Sequence, residues 1–258
     1  MSTLTLFSSD GQVATFTINR ADAGNAMTWA MYDALVDACE RVDASPDARV
    51  FVIRATGEAF CTGTDISQFA AFGSREDGVE YERRLEACLS RLERVTAATI
   101  AQVEGIAAGA GCAIALACDL RVCTEGARFG VPIARTLGNG LSYENCARLV
   151  DHFGIAIARR MLIAGEFVNV DEAAAAGVVS RRAHPGDAGR VVDELASSIA
   201  RNAPLTIRTA KAALRRLSAR ETQRNDIDRL VADCYASADF REGVSAFLAK
   251  RPPRFTGN

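Results

Sequence analysis

Two glycine-containing turns hold the residues in this sequence that are best suited to chemistry at the backbone. The first turn spans residues 57–66 and contains Gly63, and the second is Gly-Ala-Gly at 109–111. Because the second turn opens a helical pattern, its first backbone N–H groups lack partners within the helix. The glycine and alanine side chains of this turn are small enough for a ligand oxygen to approach those nitrogens, as in an anion or oxyanion site. The same residues also suit tight strand–helix packing, so both interpretations stay open on residue types alone.

Other patterns that mark catalytic sites are absent from the sequence. Residues 105–111 do not match the Gly-x-Gly-x-x-Gly dinucleotide fingerprint, and neither a P-loop nor a Gly-x-Ser-x-Gly nucleophile turn occurs. The two histidines, His152 and His184, are expected to be packing or surface residues. The eight cysteines are scattered without a Cys-x-x-Cys pair. We therefore predict no metal site and expect reduced thiols that act as small apolar side chains.

Composition and charge limit the class of protein. The 258 residues are 49% apolar and 24% charged, which predicts a globular fold and excludes an intrinsically disordered chain. A net charge of −2 without a basic stripe argues against nucleic-acid binding. No secretory signal is visible, and the longest charge-free apolar run, at 105–118, has 14 residues where roughly 20 are needed to span a membrane. We expect a cytoplasmic protein without a membrane span.

The elements that must position the two turns alternate between strand and helix patterns. Strands are predicted at 13–18, 49–54, 99–103 and 120–123, and helices at 27–42, at 80–95 and directly after residue 111. From residue 142 onward the predicted elements are all helical, at 142–152, 155–163, 171–176, 187–202, 204–217, 222–237 and 240–250. This order predicts an α/β core over residues 1–195 and a helical C-terminal region over residues 196–258.

Both turns resemble segments of the enoyl-CoA hydratase/isomerase (crotonase) superfamily. The segment Ala-Phe-Cys-Thr-Gly-Thr-Asp-Ile at 59–66 resembles the family's Ala-Phe-x-Ala-Gly-x-Asp-Leu/Ile. Residues 105–119 resemble its Gly-x-Ala-x-Gly-Gly-Gly-x-x-Leu-x-x-x-Cys-Asp segment. The agreement continues in order over essentially the whole chain, at 18–20, 25–26, 129–132, 173–180 and 242–251.

The resemblance implies a fold, an assembly and a substrate class. The fold would be a spiral of ββα units with C-terminal helices, assembled as a homotrimer or a dimer of trimers. The substrate would be an acyl-CoA thioester whose oxygen accepts hydrogen bonds from two backbone N–H groups, which fall by motif position on Thr64 and Ala110. Such donors would stabilise an enolate-like anion. Coenzyme A would enter as part of the substrate, without a separate tightly bound cofactor. Apolar stripes in the C-terminal helices, which begin with Leu214 and Leu217, would contact a partner subunit.

The resemblance also implies which residues contact CoA. By motif position they are Asp22, Ala23, Gly24, Thr62, Asp65, Ile66, Phe247 and Lys250. Asp65 is expected mainly to fix its turn. Phe247 and Lys250 would approach the adenine end, although Lys250 could equally be a solvated surface lysine.

The sequence departs from the family at two positions that supply acid–base chemistry in hydratases. The family's two glutamates fall on Ala113 and Ile133, which cannot transfer a proton. Because such groups are typically worth about 10²–10⁴-fold each, we expect little hydration of crotonyl-CoA. Replacement groups are sought in residues 134–144, where Asn139 could position a water and Glu144 could act as an acid or base. Asn139 could equally occupy a left-handed turn, and Glu144 could merely favour a helix N-terminus.

Three functions stay open on the sequence. The first is a lyase or isomerase that processes an acyl-CoA through the two N–H donors with an unidentified acid or base. The second is a CoA-thioester-binding protein with little catalysis. The third is a family hydrolase, lyase or decarboxylase that uses other residues, including one that acts on a diketone without CoA.

Overall fold

The computed structural model describes residues 3–71 and 75–218, together with residues 238, 242, 251, 254 and 256–258. Within these residues, nine strands form two sheets and eight α-helices pack against them. The strands are β1 (Thr5–Asp10), β2 (Val13–Ile18), β3 (Val50–Ala55), β4 (Ala98–Val103), β5 (Ile106–Ala108), β6 (Leu120–Thr124), β7 (Arg128–Gly130), β8 (Phe167–Asn169) and β9 (Arg181–Ala183). The helices are α1 (Trp29–Ala44), α2 (Arg75–Glu93), α3 (Ala110–Ala117), α4 (Ile133–Thr136), α5 (Tyr143–Arg159), α6 (Val170–Ala175), α7 (Ala188–Ala200) and α8 (Pro204–Ser218).

The larger sheet has the strand order β1-β2-β3-β4-β6-β9, and the smaller sheet has the order β5-β7-β8. β1 and β2 pair antiparallel, while the remaining neighbours in the larger sheet pair in parallel. Parallel neighbours need crossover connections, which α1 and α2 provide between β2, β3 and β4. The predicted α/β alternation is confirmed, although α2 begins at Arg75 rather than at residue 80.

Both faces of the central strands are buried, which explains their continuous apolar sequence. In β3, Phe51 and Ile53 lie in the core that packs against α1, α2 and α3. The alternate residues Val50 and Val52 lie in a second core, which α7 covers. Because successive side chains in a strand point to opposite faces, one short apolar run supplies both cores.

The second half of the chain differs from the sequence expectation in its short strands. β7, β8 and β9 have three residues each, and β8 and β9 lie in gaps between predicted helices, where no strand is predicted. Strands this short show too little alternation to be recognised. The two helices predicted at 142–152 and 155–163 appear as α5, with non-helical dihedrals at Gly154 (φ 75°, ψ 159°), followed by a π-helical turn.

The C-terminal helices are described as far as α8. Helix α7 packs against β4, β6 and β9, and residue 195 lies within it. Helix α8 begins at Pro204, as predicted, and its Leu214 and Leu217 side chains are 65% and 74% exposed. The helices predicted at 222–237 and 240–250 lie outside the described residues. Of the helices that can be assessed, none has the length and apolar character required to span a membrane.

A buried arginine holds the C-terminal end of α3, the helix that carries Ala110 at its start. Arg121 is 4% exposed and donates hydrogen bonds to backbone carbonyl oxygens instead of to a carboxylate. The acceptors are Ala115, Leu116, Cys118, Asp119 and Val178. Since the last carbonyls of a helix lack intrahelical partners, one guanidinium satisfies this end of α3 and joins it to the segment before β9.

Candidate active site

The first glycine turn leaves one backbone donor without a partner. The N–H of Met27 donates to Gly63 O at 2.8 Å, and the N–H of Asp65 donates to Met27 O at 2.9 Å. These two bonds form a one-residue parallel bridge between Met27 and Thr64. The N–H of Thr64 faces away from this bridge and has no hydrogen-bond acceptor among the described residues.

The second turn leaves a similar donor at the start of α3. Gly109 has φ 52° and ψ −120°, a conformation that favours glycine, and its N–H donates to Gly130 O at 2.9 Å. Ala110 follows as the first residue of α3, so its N–H has no acceptor within the helix. In the described part of the chain no other group accepts from it.

The structure brings these two turns into contact. The N–H of Cys61 donates to Ile106 O at 3.0 Å, and the N–H of Ala108 donates to Cys61 O at 2.9 Å, so the first turn pairs with β5. A Cβ placed on Gly63 would lie 4.0 Å from Ala110 N. Two unpaired N–H groups on touching turns can together bind one oxygen that carries negative charge.

A chain of hydroxyl groups holds the Thr64 side chain. Thr64 Oγ1 lies 2.6 Å from the Tyr32 hydroxyl and 2.9 Å from the Tyr81 hydroxyl. Burial raises the pKa of Tyr32 well above its usual value and that of Tyr81 to about 12. Both phenols are therefore neutral near pH 7, and they position the turn without adding charge.

Asn25 joins three segments around the first turn. It is completely buried with φ 59°, a left-handed conformation that asparagine tolerates better than most residues. Its Oδ1 accepts from the backbone N–H of Arg20 at 2.8 Å, and its Nδ2 donates to the carbonyl oxygens of Thr56 and Ala59, each at 2.7 Å. The sequence pattern does not indicate this role, because an isolated asparagine is equally typical of an exposed turn.

Asp65 also fixes the turn, as expected. Its carboxylate lies 2.6 Å from an Arg20 nitrogen and accepts hydrogen bonds from the Ser67 hydroxyl and backbone N–H. The bonds from Ser67 and then from Arg20 hold the pKa of Asp65 below its usual value. A carboxylate stabilised in this way is a weak base.

Several residues assigned to CoA contacts lie together beside the same turn. Thr62 donates from both its N–H and its hydroxyl to Gly24 O, at 3.1 and 3.0 Å. Gly24 closes the short 3₁₀ turn Ala21–Ala23, which contains Asp22 and Ala23. Ile66 is 55% exposed. Phe247 and Lys250 lie outside the described residues.

A pocket extends from Ala110 between α2, α3 and α5. One part of its lining, the α3 wall, is formed by Ala110, Ala113, Val131 and Ile133. A second part, the α2–α5 wall, is formed by Tyr81, Glu82, Asn145 and Arg148. The remaining lining residues are Leu85, Gly109, Asn139, Leu141 and Leu149.

Comparison with known proteins decides the family. A model of the enoyl-CoA hydratase/isomerase family matches residues 8–258. The chain belongs to the enoyl-CoA hydratase/isomerase family. It is 35% identical to a 2,3-dehydroadipyl-CoA hydratase of Escherichia coli K12, with 98% of each chain covered.

Solved structures agree with this membership. The structure is similar to an enoyl-CoA hydratase/carnithine racemase from Magnetospirillum magneticum, with a TM-score of 0.90 and 30% identity over 100% of this chain and 97% of the other. It is also similar to an enoyl-CoA hydratase from Mycobacterium smegmatis, with a TM-score of 0.89 and 33% identity over 98% and 99%. The crotonase-like α/β fold implied by the sequence resemblance is therefore confirmed.

The two positions to which the sequence resemblance assigns the family's glutamates lie in the α3 wall. Ala113 and Ile133 both line the pocket, and neither side chain can donate or accept a proton. The only carboxylate among the described lining residues is Glu82, which the sequence did not single out. It lies on α2, where the sequence pattern does not distinguish it from the other charged residues of an amphipathic helix.

The two candidate residues that follow Ile133, Asn139 and Glu144, differ in their position relative to the pocket. Asn139 lines the pocket but is exposed, and its Nδ2 donates to Gly140 O at 3.0 Å. Glu144 is exposed in the first turn of α5 and is not a lining residue. Ser142 caps that helix by accepting from the N–H of Asn145 at 3.2 Å.

The cysteines that the structure describes behave as small apolar side chains. Seven are free thiols, six of them buried, including Cys61 beside the first turn. Burial raises the pKa of the Cys61 thiol to about 12, so it is not a thiolate near pH 7. In the part of the chain that can be searched, no group of three or more His, Cys, Asp or Glu side chains could hold a metal ion.

Proposed function

We propose that this chain is an acyl-CoA-processing enzyme in which the N–H groups of Thr64 and Ala110 bind the thioester oxygen. The observation that supports this function is the pair of unpaired donors on two touching turns, of which Ala110 lines a pocket. When a proton leaves the carbon next to a thioester, negative charge develops on that oxygen. Preorganised donors then stabilise the enolate, and each is typically worth about 3–4 kcal/mol.

The substrate class rests on the relatives. The similar Escherichia coli protein is named for a CoA thioester, 2,3-dehydroadipyl-CoA, and the chain shares its length. We propose that CoA enters as part of the substrate, along the surface formed by Gly24, Thr62 and Ile66. Exposed Leu214 and Leu217 support association into a trimer or a dimer of trimers, for which light scattering at micromolar concentration is the test. A cytoplasmic location remains part of the proposal.

A CoA-thioester-binding protein without catalysis is the second candidate. The observation that favours it is the replacement of both proton-transfer positions by Ala113 and Ile133, while the two turns stay intact. A reaction on a diketone without CoA is the third candidate and predicts no affinity for CoA.

Calorimetric titration with butyryl-CoA, crotonyl-CoA and free CoA, run alongside turnover assays, separates the three candidates. We expect both thioesters to bind and at least one acyl-CoA from a wider panel to be converted. Binding without any conversion would favour the binding protein. Absence of affinity for every thioester would contradict the proposed function.

A further inference from the structure

The α2–α5 wall holds a carboxylate for which the proposed function has so far no use. Glu82 lines the same pocket as Ala110, Ala113 and Ile133. Its Oε2 accepts a hydrogen bond from the backbone N–H of Ser142 at 2.8 Å, which ties the end of the side chain to the start of α5. The carboxylate is therefore held at the pocket rather than directed into solvent.

Within the part of the chain that the structure describes, Glu82 has no cationic partner of its own. On α2, its neighbours are Tyr81, whose phenol is neutral, and Glu86, whose negative charge opposes ionisation. From α5, Ser142 and Asn145 lower the pKa of Glu82, and Cys146 is the nearby thiol. Burial outweighs these hydrogen bonds and raises the pKa of Glu82 above its usual value.

The positive charge of this wall is already paired elsewhere. Arg148 donates to Glu93 at 2.7 Å and to both carboxylate oxygens of Glu86 at 3.1 and 3.2 Å. Its NH1 also donates to Asn145 Oδ1 at 2.6 Å. Because none of the salt bridges among the described residues includes Glu82, its carboxylate is a stronger base than the ion-paired Asp65.

Asn145 places an amide donor beside Glu82 in the same wall. An arginine can only donate, so the bond from Arg148 fixes Oδ1 toward that side and directs Nδ2 away from it. Nδ2 is buried and makes no hydrogen bond of ordinary length and angle within the described residues, although its interaction with the Glu82 carboxylate lowers the pKa of that group. The whole residue is 3% exposed. This amide therefore favours the ionised form of Glu82, which is the form that can accept a proton.

We propose that Glu82 is the proton-transfer residue of this site, acting at the carbon next to the thioester carbonyl. This assignment rests on the proposed acyl-CoA function. Glu82 accepts the proton as the C–H bond breaks, and the electron pair of that bond moves into the enolate, whose oxygen binds Thr64 N–H and Ala110 N–H. The protonated carboxyl then returns a proton to the same carbon or to a conjugated one, so atoms and charge balance without a further reactant.

The smallest reaction that reports this step is exchange of the C2 protons of a saturated acyl-CoA for solvent deuterium. Butyryl-CoA, octanoyl-CoA and phenylacetyl-CoA serve as probes in D₂O, with the C2 signal followed by NMR and the affinity measured by calorimetry. We expect exchange above the buffer rate for at least one probe. Glu82→Gln should slow it by about 10²–10⁴-fold while the affinity stays within a few-fold.

A matched control and two further readouts separate a catalytic role from a structural one. Glu80→Gln changes a carboxylate two positions away on α2 that pairs with Arg83 on the exposed surface, and exchange should stay at the wild-type rate. Glu82→Asp should restore part of the exchange, because it keeps the carboxylate. In the wild type, the exchange rate should rise with pH through a value above the usual pKa of glutamate.

Each result bears on the assignment. Wild-type exchange by Glu82→Gln, or a flat pH profile, would overturn the role of Glu82. Tight binding of the probes by the wild type without exchange would overturn it while leaving thioester binding intact. Absence of binding would remove the proposed function and this assignment together. Should Glu82→Gln fail to fold, the Glu82→Asp rate and the wild-type pH profile decide the question.

Discussion

The two walls of the pocket offer a ligand different kinds of group. The α3 wall presents a backbone N–H beside small or apolar side chains, whereas the α2–α5 wall presents a phenol, a carboxylate, an amide and a guanidinium. A backbone donor survives almost any side-chain substitution, but an acid or base is lost in a single one. If the proposals for Thr64, Ala110 and Glu82 hold, a family member can keep its two glycine turns while the proton-transfer group lies on a different wall of the pocket.

The largest expected effect comes from the carboxylates missing from the α3 wall. Crotonyl-CoA hydration should be several orders of magnitude slower than in a two-glutamate relative, since each group contributes about 10²–10⁴-fold and the two are not additive. Ala113→Glu combined with Ile133→Glu should raise the hydration rate more than either single substitution. Because each change adds a charge to an apolar wall, unfolding by urea is measured first. Rapid hydration by the unmodified protein would show that other residues already supply this chemistry.

A smaller loss should follow removal of the α3 N–H donor. Ala110→Pro deletes the N–H at the first position of α3, where proline is tolerated. Turnover of the identified acyl-CoA, or C2 exchange, should fall by about 10²–10³-fold. Ala110→Gly is the matched control, because it alters the side chain and keeps the N–H. If Ala110→Pro folds and retains the wild-type rate, the donor assignment is wrong.

The stability of the α2–α5 wall should depend on charge pairing, unlike that of the α3 wall. Arg148 has a side chain that is 8% exposed and pairs with Glu86 and Glu93, so Arg148→Met leaves two carboxylates without their partner. A loss of about 3–5 kcal/mol in the free energy of unfolding is expected. Ile133→Val in the α3 wall should cost only about 0.5–1.5 kcal/mol. Equal costs in urea denaturation would remove this distinction between the walls.

The smallest effect concerns the cost of keeping Glu82 ionised. Its pKa is raised in the folded state, so the folded protein binds more protons than the unfolded chain over the affected range. The contribution of Glu82 to the free energy of unfolding is therefore fully present below the pKa that Glu82 has in the unfolded chain. It is lost as the pH rises through the higher pKa that Glu82 has in the folded protein. Glu82→Gln should be slightly more stable than the wild type at pH 7.5, and the difference should vanish near pH 4. A difference that is the same at both pH values, or matched by Glu80→Gln, would argue against this origin.

Local sequence patterns were sufficient to find the two turns. Gly63 and the 109–111 segment each follow a predicted strand, and unpaired N–H groups at such positions depend mainly on local backbone geometry. The strand and helix periods also predicted the α/β core, because burial on both faces of a sheet imposes a continuous apolar run. The three-residue strands escaped prediction, since their pairing comes from segments far along the chain.

Glu82 was missed because its environment comes from packing between helices. One signal was available in α2, where Glu82, Glu86 and Glu93 recur at spacings of four and seven residues beside an apolar stripe. That spacing places three carboxylates on one helical face, yet it is equally typical of a solvated surface. The partner that distinguishes the two cases, Arg148, lies 55 positions beyond Glu93 and meets it only in the folded chain.

Residue types and their spacing along the chain were sufficient to predict the family and the α/β order, and they are also the basis on which Thr64 and Ala110 are proposed as donors. The sequence by itself also determined that Ala113 and Ile133 cannot transfer protons, which is a property of the side chains alone. The contact between the two turns is visible only in the folded chain, as is the position of Glu82 and Asn145 in the same pocket as Ala110. Contact, burial and the pKa of a carboxyl depend on which elements pack together. Helices α2, α3 and α5 meet through side chains that are distant in sequence, so their spacing along the chain does not predict these properties.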